Sequence, residues 1–348
     1  MKNSDAKRIL VTGCGGPMGV NITRSLRKAP EALYLLGTEA NRYHIHLSLT
    51  DRSEIIPPAK EAEAYVEALC RLVRDDRIGM IFPTHPVEVR AVSRYCARFG
   101  GVRLLLPEYD VIVIADSKWE TYRRLEGAGL PVPRTHLIRT KEDVESAFSA
   151  LQTRPIWVRG AGTPGAGIGV ASLPCREVLH ATAWVDYWKG WGAMIASEFL
   201  PGRNLTWTGL FADGKLMAAQ TRERLEYVLP HVSPSGVTGA PAVSRTIREP
   251  EVARLGELAV RTLSPEPNGP FFVDFKEDEG GLPKITEINA GRFGTTIHFY
   301  TEAGFNFPYA AVRLAFGMGL PGAPIVEPIP ENTYWIRTLD CGPVLVRM

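Results

Sequence analysis

The sequence predicts an α/β protein in which a parallel, doubly wound lobe precedes two lobes that mix helices with antiparallel strands. Apolar strand segments alternate with amphipathic helical segments through the first third of the chain, which is typical of a parallel sheet. Two glycine-rich loops each follow a strand segment. Strand segments with hairpin turns then dominate from about residue 194, as expected for antiparallel pairing.

The first lobe is expected over residues 1–115. Its strand segments are RILVTG, LYLLGTE, IGMIFPT and VRLLLP, and its helical segments are PMGVNITRSLRKA, EAEAYVEALCRLVRDD and PVEVRAVSRYCARF. Pro17 stands near the first turn of the first helical segment, a position that tolerates the missing N–H. Short connections between these segments favour parallel strands joined by helical crossovers.

Two further lobes are expected over residues 116–193 and 194–348. The middle lobe contains the helical segments DSKWETYRRLEGAG and KEDVESAFSAL and the strand PIWVRG. In the last lobe, Asp213–Gly214 is a hairpin turn signal. The helical segments EPEVARLGELAVRTL and NFPYAAVRLAFGMG follow, and a short strand ends the chain.

Composition excludes several classes of protein. The chain has 348 residues, a formal net charge of +2 and no basic run, so it lacks the field that nucleic-acid binding requires. No apolar stretch approaches the roughly 18 residues of a membrane span. The five cysteines show no C-x-x-C spacing, which favours reduced thiols in a cytoplasmic protein.

The first glycine-rich loop, Gly13, Gly15 and Gly19, follows a strand, and Glu39 ends the next strand. A dinucleotide site places glycines and a ribose-binding acid at comparable points. The spacing here is G-x-G-x-x-x-G, and no Tyr-x-x-x-Lys or His–Asp constellation follows it. A nicotinamide-dependent oxidoreductase is therefore one alternative, and a tight corner of the scaffold is the favoured interpretation.

The second glycine-rich loop carries Gly160, Gly162, Gly165, Gly167 and Gly169 within ten residues. Such a loop can lay backbone N–H groups over phosphate oxygens without a side-chain clash. Arg159 ends the strand before it and is placed to direct a guanidinium at the same phosphates. The alternative is a flexible surface hairpin.

A third set of residues lies on two late strands. Glu287 and Asn289 alternate along one strand and share a face. Asp274 stands in the otherwise apolar FFVDF on the neighbouring strand, and Arg292 follows closely after Asn289. Two carboxylates and an amide oxygen suit Mg²⁺ that bridges phosphates. The alternative is the solvated edge of a hairpin.

Taken together, these segments resemble the ATP-grasp superfamily. The segments DSKWETYRRLEGAGLPVPRT, PIWVRGAGTPGAGIGV, SEFLPGRNLTWTGLFADGK and ITEINAGRFG are similar to its successive nucleotide-binding motifs. The first lobe, in VTGCGGPMGVNITRSLR and IFPTHPVEV, is similar to carbamoyl-phosphate-synthetase-like members. The resemblance implies a Rossmann-like pre-ATP-grasp domain followed by an ATP-grasp fold of two α+β subdomains.

The resemblance also implies roles for individual residues. Lys118 and Arg159 would contact ATP phosphates, with the backbone of Gly165 and Gly167 above them. The backbone around Glu198 and Leu200 would bind adenine. Asn204 stands where many members have a glutamate for the ribose hydroxyls.

At the metal motif, Asp274, Glu287 and Asn289 would hold Mg²⁺ or Mn²⁺, and Arg292 would stabilise the transferring phosphoryl group. One inserted residue separates Arg292 from the usual E-I-N-P-R spacing. Arg222 and Arg224 alternate along a strand. They are candidates for holding a substrate carboxylate, although a solvated strand face explains them equally well.

The implied activity is ATP-dependent ligation of a small-molecule carboxylate to an amine, with release of ADP and phosphate. Carboxyphosphate or carbamoyl-phosphate synthesis from bicarbonate is an alternative, as is a nucleotide-binding regulatory protein without turnover. Neither nucleic acid nor a membrane is expected as a partner. The oligomeric state stays open, although a homodimer is common among such relatives.

Overall fold

The computed structural model describes residues 6–162, 172–232, 236, 238–338 and 344–347. These residues form three β-sheets with helices packed against them. Among them, none of the helices combines the length and the apolar character needed to cross a bilayer.

The first sheet is parallel, with strand order β3-β2-β1-β4. Its strands and the helices around them are β1 (Lys7–Val11), α1 (Pro17–Arg27), β2 (Leu33–Glu39), β3 (Arg52–Ile55), α2 (Ala62–Asp75), β4 (Met80–Phe82) and α3 (Pro86–Arg94). Crossover helices explain the parallel pairing, because strands joined by a tight turn would be antiparallel.

The second sheet is small and antiparallel, with order β5-β8-β6-β7. Two helices, α4 (Tyr109–Asp116) and α5 (Lys118–Gly127), precede it. The sheet and its own helices comprise β5 (Thr135–Ile138), α6 (Lys141–Leu151), β6 (Ile156–Gly160), β7 (Ser172–Cys175), α7 (Val178–Tyr187) and β8 (Met194–Glu198). Apolar side chains of α6 and α7, among them Val144, Phe148 and Val185, fill a core under this sheet.

The third sheet is the largest, with order β13-β12-β9-β10-β11-β15-β16 and β14 beside β10. Its elements are β9 (Asn204–Ala212), β10 (Lys215–Tyr227), β11 (Pro241–Thr246), α8 (Pro250–Leu263), β12 (Gly269–Glu277), β13 (Pro283–Ala290), α9 (His298–Glu302), α10 (Phe307–Ala315), β14 (Ile325–Val326), β15 (Thr333–Ile336) and β16 (Val344–Arg347). The turn at Asp213 and Gly214, both with positive φ, joins β9 to β10 as the sequence predicts.

One apolar core joins the two ends of the chain. Ile9 and Ile22 of the first lobe pack in the same buried cluster as Phe293, Phe299 and Phe307. The helix α1 therefore lies against α9 and α10, and the first lobe is fixed to the large sheet.

Three features of the fold differ from the sequence-based expectations. VRLLLP forms no strand, because only Arg103 makes an isolated bridge, to Met80. The helices α4 and α7 were not predicted from the sequence. The strand β8 pairs with β5 and β6 of the small sheet, so the predicted boundary between residues 193 and 194 falls at the start of a strand of that sheet.

Candidate functional site

A cavity of about 370 Å³ lies where the small sheet meets the large sheet. A short connecting segment joins the two sheets at the edge of this cavity. It runs from Glu198, the last residue of β8, to Asn204, the first residue of β9. Among the described residues, the charged lining of the cavity consists of Arg159, Glu198, Arg222, Arg224, Asp274, Lys276, Glu287 and Arg292. Cations outnumber carboxylates in this lining, so the cavity suits an anionic ligand.

Asp274 and Glu287 are direct cross-strand partners on β12 and β13. One carboxylate oxygen of Asp274 accepts a hydrogen bond from the Thr206 hydroxyl at 2.8 Å and lies 3.1 Å from an Arg224 nitrogen. Thr206 stands opposite Asp274 on β9. The pairing of three strands therefore holds this buried carboxylate against a guanidinium, which offsets the cost of burying its charge.

Glu287 is surrounded by cations. The Lys118 ammonium lies 3.4 Å from its carboxylate. Burial alone would raise the pKa of Glu287, but the charges of Lys118, Arg159 and Arg292 outweigh it and lower the pKa to about 2. The carboxylate is therefore ionised at neutral pH, which a ligand for a divalent cation requires.

Lys118 and Arg159 approach the cavity from different elements. Lys118 begins α5, and its backbone N–H donates to the Ala161 carbonyl at 2.7 Å. Arg159 donates from β6 to the Tyr122 hydroxyl and, at 3.2 Å, to the Thr286 carbonyl. These contacts bring the small sheet and α5 up to β13, so two cations reach the carboxylate of Glu287.

Asn289 and Arg292 lie beside each other at the end of β13. The Arg292 guanidinium donates to the Asn289 amide oxygen and lies 5.0 Å from the centre of the Phe272 ring. Asn289 pairs with Phe272 across the hairpin, so its side chain shares the cavity face. The inserted residue, Gly291, has a φ of +77° and turns the chain so that Arg292 faces the cavity.

The connecting segment provides the other end of the cavity. The Glu198 carboxylate accepts from the Arg134 backbone N–H at 3.0 Å and from its side chain at 2.8 Å. It is thus fixed in the scaffold, whereas Leu200 and Asn204 also line the cavity. Lys276 stands opposite Asn204 on β12 and donates to the Gly202 carbonyl at 2.8 Å.

Arg222 and Arg224 both line the cavity from β10, but their surroundings differ. Arg224 is ion-paired with Asp274. Arg222 is 7% exposed and donates to the Thr296 hydroxyl. Both guanidinium groups are therefore held within the site, and the strand face that carries them is not a solvated one.

The chain is similar in sequence to one known ligase over part of its length. No protein-family model matches the sequence. D-alanine–D-alanine ligase B of Chromobacterium violaceum is 30% identical over 197 residues, which are 53% of this chain and 60% of that ligase. The match thus spans less than two thirds of the ligase.

Solved structures match over almost the whole chain. The biotin carboxylase domain of 2-oxoglutarate carboxylase from Hydrogenobacter thermophilus, solved with MgADP and bicarbonate, gives a TM-score of 0.71 at 16% identity, covering 94% of this chain and 73% of that one. N5-carboxyaminoimidazole synthetase from Staphylococcus aureus gives 0.71 at 13% identity, covering 94% and 81%. L-amino acid ligase from Bacillus licheniformis gives 0.68 at 16% identity, covering 94% and 78%. The chain has the ATP-grasp fold.

Within this ATP-grasp fold, most of the predicted site residues lie around one cavity. Lys118 forms an ion pair with Glu287, which lines the cavity. The other predicted residues that line it are Arg159, Glu198, Leu200, Asn204, Asp274, Asn289 and Arg292. Gly165 and Gly167 lie outside the described residues. The roles predicted for all of these residues remain predictions.

The donor set fits a magnesium ion. Asp274 and Glu287 supply carboxylate oxygens, and Asn289 supplies an amide oxygen. In the described part of the chain, no group of three or more His, Cys, Asp or Glu side chains is arranged to hold a metal. Mg²⁺ commonly binds through one or two carboxylates and takes its other ligands from water and phosphate, so two carboxylates are sufficient for this ion.

The first glycine-rich loop lies in the pre-ATP-grasp lobe and is bound to its own scaffold. The Gly15 N–H donates to a Glu39 carboxylate oxygen at 3.1 Å. The other oxygen of Glu39 accepts from Ala40 and Asn41 backbone N–H groups at 2.9 Å and 3.2 Å. Both oxygens therefore have backbone partners, which favours the scaffold corner over the ribose-binding interpretation.

Several residues of the site were missed by sequence reasoning. Tyr122 lies one helical turn after Lys118, and this i, i+4 spacing could have placed it near the same centre. Thr206 and Lys276 become neighbours of Asp274 and Asn204 only through strand register, which a single sequence does not specify.

Proposed function

We propose that the protein is an ATP-dependent ligase that joins a carboxylate to an amine through an acyl phosphate. The observation that carries this proposal is the charge arrangement around β12 and β13. Asp274 and Glu287 face each other across the hairpin, and three cations, Lys118, Arg159 and Arg292, lower the pKa of Glu287. This arrangement suits metal ions and a triphosphate together.

Asp274, Glu287 and Asn289 would hold one or two Mg²⁺ or Mn²⁺ ions. When bound, these ions neutralise charge on the β- and γ-phosphates of ATP. Lys118 and Arg159 would contact the α- and β-phosphates, together with the backbone of Gly165 and Gly167.

The nucleoside would lie at the connecting segment. The backbone around Glu198 and Leu200 would bind adenine, and Leu200 supplies an apolar wall. Asn204 would donate to or accept from a ribose hydroxyl without a charge. Lys276, opposite Asn204, is half-buried, and this partial burial together with the charge of Arg224 lowers its pKa.

The reaction would proceed in two transfers. First, an oxygen of the substrate carboxylate attacks the γ-phosphorus, the bond to the β–γ bridging oxygen breaks, and ADP leaves. Next, the amine nitrogen attacks the acyl carbon, the bond to the phosphate oxygen breaks, and inorganic phosphate leaves as the nitrogen loses a proton. Arg292 would stabilise the negative charge that develops in each transfer.

An assay of ADP release tests this proposal. The protein is incubated with Mg²⁺-ATP and a panel of amino acids and small carboxylates, with and without amines and bicarbonate. Release that requires both an acid and an amine supports the ligase. Release that requires bicarbonate instead supports the carboxyphosphate alternative. Binding of NAD(P)H without ADP release in any mixture would reject both.

A cytoplasmic location and a homodimer complete the proposal. The four cysteines in the described residues, Cys14, Cys70, Cys96 and Cys175, are free thiols, which agrees with a reducing compartment. Size-exclusion chromatography with light scattering measures the assembly state directly.

A further inference from the structure

Arg222 is a buried cation at the wall of the cavity. Its side chain projects from β10, and only 7% of the residue is exposed. One guanidinium nitrogen donates to the Thr296 hydroxyl, and another lies beside Gly294, 3.8 Å from where a Cβ of that glycine would stand. Gly294 and Thr295 line the same cavity, so the guanidinium lies at its surface.

Arg222 has no carboxylate partner among the described residues. Within the described residues, no carboxylate oxygen lies within 4.0 Å of its guanidinium nitrogens, and its Nε–H has no hydrogen-bond acceptor. Arg224, two residues later, has Asp274 at 3.1 Å. A buried cation without a counter-charge is costly, and this cost falls when an anion enters the cavity.

A second guanidinium increases the positive charge at this place. Arg337 follows β15, and its Nε donates to the carbonyl of Pro241, a residue of the cavity wall, at 2.9 Å. Burial, and then the positive charge of Arg222, lower the pKa of Arg337. The two arginines are therefore near enough to repel each other, and an anion between them would relieve the repulsion.

This position is separate from the place where phosphoryl transfer is proposed. Arg222 is on β10 and Asn289 is on β13, which are three strands apart in the order β13-β12-β9-β10. The two guanidinium groups also have different neighbours. Arg292 donates to Asn289 and lies over the Phe272 ring, whereas Arg222 donates to Thr296 and lies near enough to Arg337 to lower its pKa. Arg292 would contact the carboxylate that is phosphorylated, and the neighbours of Arg222 favour a different anion there.

We propose that Arg222 binds a second oxyanion of the acid substrate, a carboxylate or phosphate distinct from the carboxylate that is activated. The inference rests on the proposed function and narrows its substrate to acids that carry two anionic groups. Guanidinium binds both oxyanions through paired N–H donors.

The test compares acids with neutral analogues of nearly the same shape. L-Aspartate is compared with L-asparagine, L-glutamate with L-glutamine, and O-phospho-L-serine with L-serine. Binding is measured by isothermal titration calorimetry with Mg²⁺ and a non-hydrolysable ATP analogue, and turnover is measured as ADP release with an amine panel. The first two pairs test a second carboxylate, and the third pair tests a phosphate.

Three variants accompany the wild type. Arg222→Gln removes the charge, and Arg222→Lys keeps it but loses the paired donors. Arg245→Gln is the matched control, because Arg245 lies on the adjacent strand β11 and pairs with Glu223 at 2.9 Å, away from the cavity lining. Circular dichroism and thermal unfolding verify that each variant folds.

We expect the wild type to bind at least one dianionic acid at least 10-fold more tightly than its neutral analogue. Arg222→Gln should weaken that binding by about 10- to 100-fold, as expected for a charge-assisted contact, and should remove the preference. Arg222→Lys should fall between the two, and Arg245→Gln should match the wild type.

Equal binding of acids and neutral analogues by the wild type, or equal behaviour of Arg222→Gln and Arg245→Gln, overturns the inference. If Arg222→Gln does not fold, two measurements test the inference instead: the preference of the wild type for dianionic acids, and the reduction of that preference in Arg222→Lys. Preferential binding without ADP release from any acid and amine rejects the ligase proposal but retains the oxyanion site. ADP release without a preference for dianionic acids retains the ligase proposal but rejects the oxyanion site. If no acid binds at all, both proposals are rejected.

Discussion

Asp274 and Glu287 lie opposite each other on adjacent strands, yet each carboxylate is held by a cation from another part of the chain. Arg224 of β10 lies 3.1 Å from Asp274, and Lys118 of α5 lies 3.4 Å from Glu287. Two acids at neighbouring positions would repel each other unless such cations were present. The pair is therefore assembled by elements that are far apart in sequence.

Replacing Glu287 with glutamine should lower ADP release by 100-fold or more. The amide keeps the size of the side chain but removes the charge that a divalent cation requires. Lys118, Arg159 and Arg292 would then lose their nearest shared counter-charge, so urea unfolding should show a loss of about 1–3 kcal/mol. Glu279→Gln, in the exposed turn of the same hairpin, is the control. Unchanged ADP release in Glu287→Gln would reject the metal assignment.

Replacing Tyr122 with phenylalanine should raise the KM for ATP several-fold. The Tyr122 hydroxyl donates to the Thr286 carbonyl at 2.7 Å and accepts from Arg159, so its loss frees the guanidinium that would contact phosphate. Stability should fall by about 0.5–1.5 kcal/mol for the lost hydrogen bonds. Tyr187→Phe changes a residue that is 75% exposed on α7 and should leave both quantities unaltered. A KM that does not move in Tyr122→Phe contradicts the positioning of Arg159 by this tyrosine.

Replacing Gly15 with alanine should destabilise the first lobe, by on the order of 1–3 kcal/mol or more. A Cβ at this position would overlap the His44 carbonyl oxygen, whereas a Cβ at Gly16 would meet its nearest atom, the Gly13 oxygen, at 3.3 Å. Gly16→Ala should therefore be much milder. Thermal unfolding without nucleotide measures the difference. Equal melting temperatures of the two variants, or saturable NADH binding by the wild type, would count against the scaffold interpretation of this loop.

Glu88 should make the stability of the protein depend on pH between about 4.5 and 7. Burial raises its pKa to about 7, despite the hydrogen bonds it accepts from Thr12 and from the His85 backbone. The folded state then binds a proton that the unfolded state has released, so stability falls as pH rises through this window.

Glu88→Gln should remove this dependence. Relative to the variant, the wild type should lose about 1–3 kcal/mol between pH 5 and pH 8, as measured by urea unfolding at each pH. Glu67→Gln, an exposed position on α2, should follow the wild type. A constant difference between wild type and Glu88→Gln across this range would show that Glu88 titrates normally.

Much of the fold could be predicted because local patterns and packing agree. The helix Ala62–Asp75 buries Tyr65, Leu69 and Leu72 on one face, and this spacing is legible in the sequence. VRLLLP was misinterpreted because its apolar residues pack as an irregular segment beside Met80. Apolar runs alone do not distinguish a strand from such a segment.

The site was predictable where residues follow one another and unpredictable where sheets bring them together. Glu287 and Asn289 share a face by strand alternation alone. Arg224 forms an ion pair with Asp274, whereas Arg222 has no such carboxylate partner among the described residues. This difference depends on how β9, β10 and β12 align. That alignment is set by long-range pairing rather than by local sequence.

The shared core of Ile9, Ile22, Phe299 and Phe307 also constrains the biogenesis of the protein. A nascent chain that has exposed only its amino-terminal lobe must leave one apolar side of that lobe uncovered until α9 and α10 leave the ribosome. Completion of the first lobe therefore waits for the synthesis of α9 and α10. A chain truncated before Phe299 would present the same uncovered side permanently and would be a substrate for chaperones and proteases.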